Sequence, residues 1–331
     1  MEPGDLNDSD ATYDVVVIGG SAAGLSGALA LVRACRSVLV IDSGAARNAP
    51  SAHLHNFLGR DGTPPSDLYS AGRTEVAGYG GHFADGTVTA AFRDIDGNFQ
   101  VETATGLRVR ARRLLVATGV TDELPAIEGL PGRWGKDVLH CPYCHGWEVR
   151  GQAIGILATD DAATAAHQAL LWRQWSDDVV VFQHTVQDPS KEQRAQLDAR
   201  GIVVVTGEVI AVEAAEDGLK AVLLASGKTI DRQVLVVRTR MAARAGFLSG
   251  LGLEAAEQYL GDLLIGTAVP ADATGATAVP GVWAAGNVTN LMAQVMLAAA
   301  SGSTAAAAIN ADLIADETRA AVEYGQLAAS A

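Results

Sequence analysis

Tyr13-Asp14-Val15-Val16-Val17-Ile18-Gly19-Gly20-Ser21-Ala22-Ala23-Gly24 decides the fold. Residues 13–18 are an apolar run rich in β-branched side chains, of the kind buried on both faces of a parallel sheet. The glycine turn that follows opens a helical pattern over 25–33, and a second apolar run over 37–41 ends on Asp42. Strand, glycine turn, helix, strand, acid is the order of a dinucleotide-binding βαβ unit. The glycines let the backbone approach a pyrophosphate at the helix N-terminus, and Asp42 can accept hydrogen bonds from a ribose. Ser21 stands where the middle glycine of that fingerprint usually is. It is compact, and its hydroxyl can donate to phosphate.

Working outward, a helix is expected over 66–79 and short strands over 81–90, 98–103 and 108–109. His53-Leu54-His55-Asn56-Phe57-Leu58-Gly59 reads as a polar, turn-rich segment whose histidines are solvated. Leu114-Leu115-Val116-Ala117-Thr118-Gly119 is a buried strand ending in a glycine turn, on the ligand side of an open α/β sheet. Near the end, Gly281-Val282-Trp283-Ala284-Ala285-Gly286-Asn287 repeats that pattern before a long helix containing Ala293, Gln294 and Val295. The first domain is therefore expected to be split around a second.

That second unit is a further βαβ: strand 152–158, helix 162–175, strand 178–182. Its turn, Ala158-Thr159-Asp160-Asp161-Ala162-Ala163, has no glycine, and the next strand ends Phe182-Gln183-His184-Thr185 without an arginine for a 2′-phosphate. Two carboxylates would stand where a pyrophosphate should dock, and like charges that close repel. Asp160 and Asp161 are assigned instead to capping the helix. Segments 202–205, 209–212, 220–224 and 233–237 read as short strands completing this unit, 124–132 as a proline- and glycine-rich hinge into it, and 242–252 as the way out. The expected architecture is α/β with two Rossmann-like three-layer domains: a tail over 1–12, a dinucleotide domain over 13–123 and 245–331, and an inserted degenerate domain over 124–244.

Cys141-Pro142-Tyr143-Cys144-His145-Gly146 falls in the inserted domain and holds two of the three cysteines. A C-x-x-C at a helix start can close a small disulfide ring, and the helix N-terminus favours the thiolate. Half of a zinc site would need two more ligands at matching spacing, and no second C-x-x-C exists; His140 and His145 flank the pair too tightly to complete a tetrahedron. A buried structural pair is the other reading beside redox chemistry. Cys35 is placed on the apolar face of a helix as a small core residue. His145 is positioned to act as a base on the cysteines, with His140 as a second candidate or a packed strand-end histidine.

A chain of 331 residues is comfortable for two domains. A net charge of −14 and the lack of a basic run disfavour nucleic acid and anionic membranes, which require clustered cations. Residues 1–12 lack the layout of a signal peptide. The apolar stretch 291–309 is interrupted by Gln294, Ser301, Gly302, Ser303 and Thr304 and reads as a buried helix, so a cytoplasmic protein without a membrane span is expected. In a reducing cytosol a C-x-x-C is more often catalytic than structural.

With the Gly19 turn, Ala117-Thr118-Gly119, the C-x-x-C and Ala285-Gly286-Asn287 in this order, the chain resembles the low-molecular-weight thioredoxin reductase family over about 13–310. The resemblance implies that the split domain holds FAD, that the inserted domain is of NADPH type, and that the protein is a homodimer. Three features depart from the reductase pattern: His145 replaces the acid after the second cysteine, Gly286-Asn287 replaces a flavin-contacting Gly-Asp, and the nicotinamide-site glycines and arginines are missing. With Cys-Pro-Tyr-Cys-His-Gly-Trp-Glu, these make the chain similar to the dithiol oxidases of gliotoxin, holomycin and romidepsin biosynthesis.

By that resemblance FAD contacts Gly19, Gly20, Ser21, Ala22, Ala23, Asp42, Arg47, Asn56, Ala117, Thr118, Gly119, Gly286, Asn287, Ala293, Gln294 and Val295, with Asn287 on the ribityl chain. A small-molecule dithiol is expected to attack the Cys141–Cys144 disulfide at Cys141 and leave as its own disulfide. Cys144 then passes the electrons to FAD, and oxygen takes them to give hydrogen peroxide. The rival expectations are an NADPH-dependent disulfide reductase and a flavin redox sensor without turnover. Trp147 is equally a candidate for core packing and for substrate contact, Met292 belongs to a loop that could wall the pocket, and no metal is expected.

Overall fold

The computed structural model describes residues 12–216 and 218–330, with the side chains of 328–330 excepted. The tail expected over 1–12 lies outside the described residues as far as residue 11, and Thr12 already opens the first strand.

The first sheet joins seven strands. Thr12–Ile18 lies at its centre, flanked in parallel by Val38–Asp42 and Arg108–Val116, and His82–Asp85 extends the Val38–Asp42 side. The long strand Arg108–Val116 takes two neighbours on its outer edge. Its first half pairs antiparallel with Phe99–Thr103, which hairpins to Val88–Arg93, and its second half pairs parallel with Val282–Ala284. Short strands expected over 108–109 and 114–116 are thus one continuous element.

Alternate residues of the central run go to opposite faces. Val15, Val17, Val38 and Val40 pack under helices Ala22–Arg33, Pro65–Gly78 and Val295–Ser330, while Val16, Ile18, Leu39 and Ile41 pack against Phe99, Val101, Leu248 and Val288. Both faces are covered, which is why the run carries no polar alternation.

The second sheet has five parallel strands in the order Val203–Val205, Val179–Phe182, Ile154–Leu157, Val234–Val237, Val138–Leu139. Helix Ala162–Trp172 and Leu197 of helix Lys191–Ala199 cover one face around fully buried Trp172. The antiparallel strands Val209–Ala215, Gly218–Leu224 and Thr229–Asp231 cover the other. Three layers therefore recur, as the α/β reading expects. The chain crosses between the sheets through Val120–Glu123 and Arg240–Ala243, which pair antiparallel side by side.

Several expectations need correction. Residues 124–132, read as a hinge or linker, are anchored to the second unit by buried Ile127 and Leu130. The hairpin Ala256–Leu260/Leu263–Ala268, which completes a four-stranded sheet around the crossing strands, was not anticipated. Cys35 is not a core residue: the helix ends at Arg33, Cys35 turns out at φ 61°, and its side chain is exposed. The stretch 291–309 is buried along one face only, since Ala298, Ala305, Ala306 and Ile309 are covered while Met296 and Leu297 are about half exposed. Among the described residues no helix is long and apolar enough to cross a membrane.

Helix Val295–Ser330 meets helix Ala22–Arg33 at an unusually close crossing. A Cβ at Gly302 would stand 1.9 Å from the Ala23 carbonyl oxygen, and one at Gly27 would stand 3.1 Å from the Gly302 oxygen. The outer half of the long helix is fastened by charge, with Arg112 bonded to Asp14, Asp316 and Glu317 and Arg36 to Glu317 and Asn310. Replacing a mid-helix glycine by alanine ordinarily stabilises by roughly 1 kcal/mol. Gly302→Ala is expected to do the reverse and destabilise by about 2 kcal/mol, because backbone atoms must separate. Thermal denaturation checks this, and an unchanged or raised midpoint would show that the crossing does not depend on the missing side chain.

Candidate active site

A cavity of about 320 Å³ opens where strands Thr12–Ile18, Arg108–Val116 and Val282–Ala284 end. The residues just past those ends line it: Ser21, Ala22, Ala23, then Ala117, Thr118, Gly119, then Gly286 and Asn287, with Ala293, Gln294, Val295 and Arg47 completing one side. The second unit supplies the opposite wall with His140, Cys141, Cys144 and His145. Residues as far apart in sequence as Ser21 and Val295 are thus brought to one space, and twelve of the sixteen expected cofactor contacts share the cavity with the C-x-x-C.

Gly19, Gly20, Asp42 and Asn56 are not in its lining. Gly19 N donates to the Ile41 carbonyl at 2.8 Å, which ties the turn to the second strand. Asp42 lies against Gly20, where a Cβ would come within 2.7 Å of its Oδ2, and 3.8 Å from Arg73. Asn56 instead donates from Nδ2 to the carbonyl of Tyr143, between the two cysteines.

The cysteine segment is built by its own sequence. Cys141 is extended (φ −116°, ψ 114°) at the N-cap, Pro142 fixes the first helical position, and the helix lasts only over Pro142–His145. The amides of Cys144 and His145 both point back to the Cys141 carbonyl at 3.2 Å. The pair is in the dithiol form, Cys144 Sγ donating to Cys141 Sγ at 2.9 Å.

That bond separates the two thiols electrostatically. The Cys141 thiol is lowered to about 7, first because Cys144 donates to it; burial opposes, while the amides of Cys144 and Tyr143 and the Gln294 side chain assist. The Cys144 thiol is pushed up strongly, because losing its proton forfeits that bond; burial and the neighbouring charge add to the shift. The first proton therefore leaves from Cys141. Gln294 Nε2 stands 3.9 Å from Cys144 Sγ, so the residue expected to touch only a cofactor also reaches the sulfurs.

The two histidines differ. His140 follows strand Val138–Leu139, stacks on Trp134 (5.4 Å between ring centres) and is lowered to about 4, mainly by burial and then by Arg47. His145 is lowered by burial as well, but Glu148 pulls its value back up. Each has a carboxylate favouring its charged form, Asp122 for His140 and Glu148 for His145, but at His140 burial and Arg47 outweigh it. The packed reading describes His140 better.

Other side chains carry commitments that the sequence hides. Arg47 makes a two-pronged pair with Asp122, both bonds 2.7 Å, and Thr239 Oγ1 donates to Asp122 as well at 2.7 Å. Burial works against the Asp122 charge, yet these partners hold its carboxyl below the usual carboxylate range. Asn287 Nδ2 donates to the carbonyls of Asn290, Leu291 and Ala293, so its amide nitrogen organises the turn before the long helix. Trp147 is 66% exposed with Arg150 over its ring at 4.0 Å, which corrects the core-packing reading, and Met292 is 66% exposed at the cavity. Among the described residues no group of three or more His, Cys, Asp or Glu side chains could hold a metal ion.

The glycine-free turn of the second unit is occupied by its own residues. Asp161 caps helix Ala162–Trp172, accepting from Thr164 N at 2.7 Å. Asp160 does not cap; it pairs with Arg238 at 2.7 Å. The expected pair of bare, repelling carboxylates is thus partly neutralised by an arginine from the neighbouring strand end. Only about 10 Å³ of cavity remains beside them.

Sequence reading missed Trp134, Asp122, Glu148 and Arg244 as parts of the site. Asp122 and Arg244 act through partners distant in the chain, Arg244 donating to Thr121 Oγ1 (3.0 Å) and the Ala45 carbonyl (2.7 Å), and no local pattern marks them. Trp134 and Glu148 act on His140 and His145 nearby, and Glu148 ends the quoted Cys-Pro-Tyr-Cys-His-Gly-Trp-Glu stretch.

Residues 13–302 match the family model described as pyridine nucleotide-disulphide oxidoreductase. Thioredoxin reductase sirT of Leptosphaeria maculans is 32% identical over 312 residues, covering 90% of this chain and 93% of sirT. Thioredoxin reductase aclD of Aspergillus oryzae is 30% identical, covering 92% and 98%. Among solved structures, the crystal structure of HlmI superposes with a TM-score of 0.88 at 44% identity over 97% of this chain and 98% of its own. An oxidoreductase from Agrobacterium tumefaciens superposes with a TM-score of 0.84 at 36% identity, covering 92% and 99%.

FAD is the cofactor of these proteins, and the cavity fits it. Helix Ala22–Arg33 begins at Ser21 without a side-chain cap, so its first amides remain available to a pyrophosphate, and the cavity runs from there to the cysteines. A nicotinamide dinucleotide does not fit the second turn, whose helix N-terminus Asp161 already serves.

Of the paired thiols, Cys141 is expected to take iodoacetamide first, with a rate that rises with pH through a midpoint of about 7 and levels off about one unit above it. Below the midpoint the thiol is protonated and the rate drops tenfold per pH unit. Peptide mapping across pH checks this; a midpoint at the ordinary thiol value of about 8.5 would show that Cys144 does not stabilise the charge.

Proposed function

Because the chain belongs to the pyridine nucleotide-disulphide oxidoreductase family, and to its thioredoxin reductase-like members, we propose that it is a dithiol oxidase. In this reading it closes an intramolecular disulfide in a small-molecule dithiol, uses FAD, and delivers the electrons to oxygen as hydrogen peroxide. The observation that carries the proposal is the contrast between the two βαβ turns. One leaves a helix N-terminus open on a cavity shared with the cysteines, and the other is filled by Asp161 and the Asp160–Arg238 pair.

The residues then act in sequence. With Cys141 and Cys144 joined as a disulfide, a substrate thiolate attacks Cys141 and expels Cys144 as a thiolate. His145, neutral and supported by Glu148, takes the proton of the substrate's second thiol. That sulfur attacks the first, the substrate leaves as its disulfide, and Cys141 departs as the thiolate its environment favours. Cys144 recovers a proton and donates again to Cys141, the arrangement seen here. FAD, when bound, supplies the acceptor that returns the dithiol to the disulfide and hands two electrons and two protons to oxygen.

The names of the relatives sirT and aclD, both thioredoxin reductases, favour one rival, a reductase that draws electrons from NADPH. The two are separated by mixing the flavin-loaded protein in air with dithiothreitol and no nicotinamide. Steady oxygen uptake matched by peroxide is expected, as is little bleaching by NADPH under nitrogen; the opposite pair of results would sink the oxidase. Cys141→Ser and Cys144→Ser should each abolish uptake and leave the yellow colour. His145→Ala should lower turnover by about 10²-fold, the usual scale for a lost acid–base group, and His140→Ala by less. Equal losses at the two histidines would contradict the assignment of His145.

A further inference from the structure

Besides Gln294, a surface loop of the first unit reaches the C-x-x-C segment from outside its own unit. Residues 54–63, between strand Val38–Asp42 and helix Pro65–Gly78 of the first sheet, form a closed loop. Leu54 N donates to Thr63 O, and Gly62 N donates to Leu54 O, both at 2.9 Å. Asn56 N donates to Asp61 Oδ1 at 3.0 Å, and buried Leu54 roots the loop in the cavity wall.

Two side chains of this loop cross to the second unit. Asn56 Nδ2 donates to the Tyr143 carbonyl, inside the C-x-x-C itself. His55 Nε2 stands 3.3 Å from Glu148 Oε1, just beyond the C-x-x-C, while its Nδ1 is 3.4 Å from Asp61. Asn56 holds its backbone at φ 60°, a left-handed conformation that asparagine tolerates better than most residues. Neither contact belongs to the fold of either sheet. Each ties a surface loop of one to the redox segment of the other.

We infer that residues 54–63 are a latch that fastens the Cys141–Cys144 segment over the cavity, and so admits small dithiols while excluding thiols carried on the surface of a folded protein. This rests on the dithiol-oxidase reading and narrows its substrate class. Both cysteines are only partly exposed and face the cavity, whereas Tyr143 between them turns outward, 59% exposed. A bulky partner meets Tyr143 and the loop before it meets sulfur. A molecule of a few rings can enter from the side of Met292 and His53, which are exposed at the cavity. To offer the sulfurs to a large partner, the second unit would have to turn away from the first, and that breaks both contacts.

The flavin-loaded protein, reduced and then freed of reductant under nitrogen, tests this without relying on turnover. Its thiols are alkylated by iodoacetamide or by a maleimide bearing a long polyethylene glycol chain, with exposed Cys35 as internal reference. In the wild type, iodoacetamide should reach Cys141 readily and the polymer should react far more slowly there than at Cys35. In Asn56→Gly/His55→Ala, where glycine retains the left-handed backbone and both loop contacts are removed from the loop side, the polymer rate at Cys141 should rise about tenfold relative to Cys35, with the iodoacetamide rate unchanged. Asn56→Gly alone should move the same way by a smaller factor, and it replaces the double variant if that does not retain flavin.

A polymer rate at Cys141 that already equals that at Cys35 in the wild type, or that is unmoved in the variants, overturns the latch. Oxygen uptake with dithiothreitol on the wild-type preparation judges the oxidase reading separately. A protein that consumes no oxygen refutes that reading, while the alkylation ratio still decides the latch.

Discussion

The site depends on one backbone ladder, the parallel pairing of Val282–Ala284 with Leu114–Val116. That register brings Ala285, Gly286 and Asn287 level with Ala117, Thr118 and Gly119, and it starts the long C-terminal helix next to the Gly19 turn. Ala285 N donates to the Val116 carbonyl at 2.9 Å, and Ala117 N to the Ile18 carbonyl at 2.8 Å, so three strand ends are stapled in a row. A parallel sheet gains this alignment only when both faces are covered. Helix Val295–Ser330 provides one cover, and the close approach of Gly302 to Ala23 keeps it near enough for Gln294 to reach the sulfurs. The return of the chain after the whole second unit therefore serves the core and the chemistry together.

Much of this was legible in the sequence because it is periodic or local. Val15–Ile18, Leu114–Val116 and Val234–Val237 announce buried strands by their β-branched content, and the Gly19 turn and the C-x-x-C carry their chemistry within a few residues. What was not legible depends on distant partners. Nothing near Arg47 indicates that Asp122 will engage it, nothing near Asp160 points to Arg238, and the Asn56 amide finds Tyr143 across two units. Cys35 was misplaced because the helical pattern runs on in sequence while the chain turns left-handed at that residue. The hairpin over 256–268 did leave a signal: Gly261-Asp262 sits between its strands, and Gly261 takes φ 63°.

The arginines show how an acidic chain uses its few cations. Arg112, Arg113 and Arg36 hold the outer part of the long helix through Asp312, Asp316 and Glu317, while Arg47 and Arg238 neutralise carboxylates at the two βαβ turns' surroundings. These guanidinium groups are spent on the protein's own acids. The net charge of −14 is what the sequence leaves after 24 cations face 38 acids.

The Asp160–Arg238 pair reaches further than the corner it fills. A disulfide oxidoreductase that keeps an open nicotinamide seat shares the redox balance of the cell's reducing currency, and its direction follows that supply. On the oxidase reading proposed above, an internal ion pair at that corner would insulate the protein from that supply, and its redox state would answer to the thiols that reach Cys141 and to whatever discharges its cofactor.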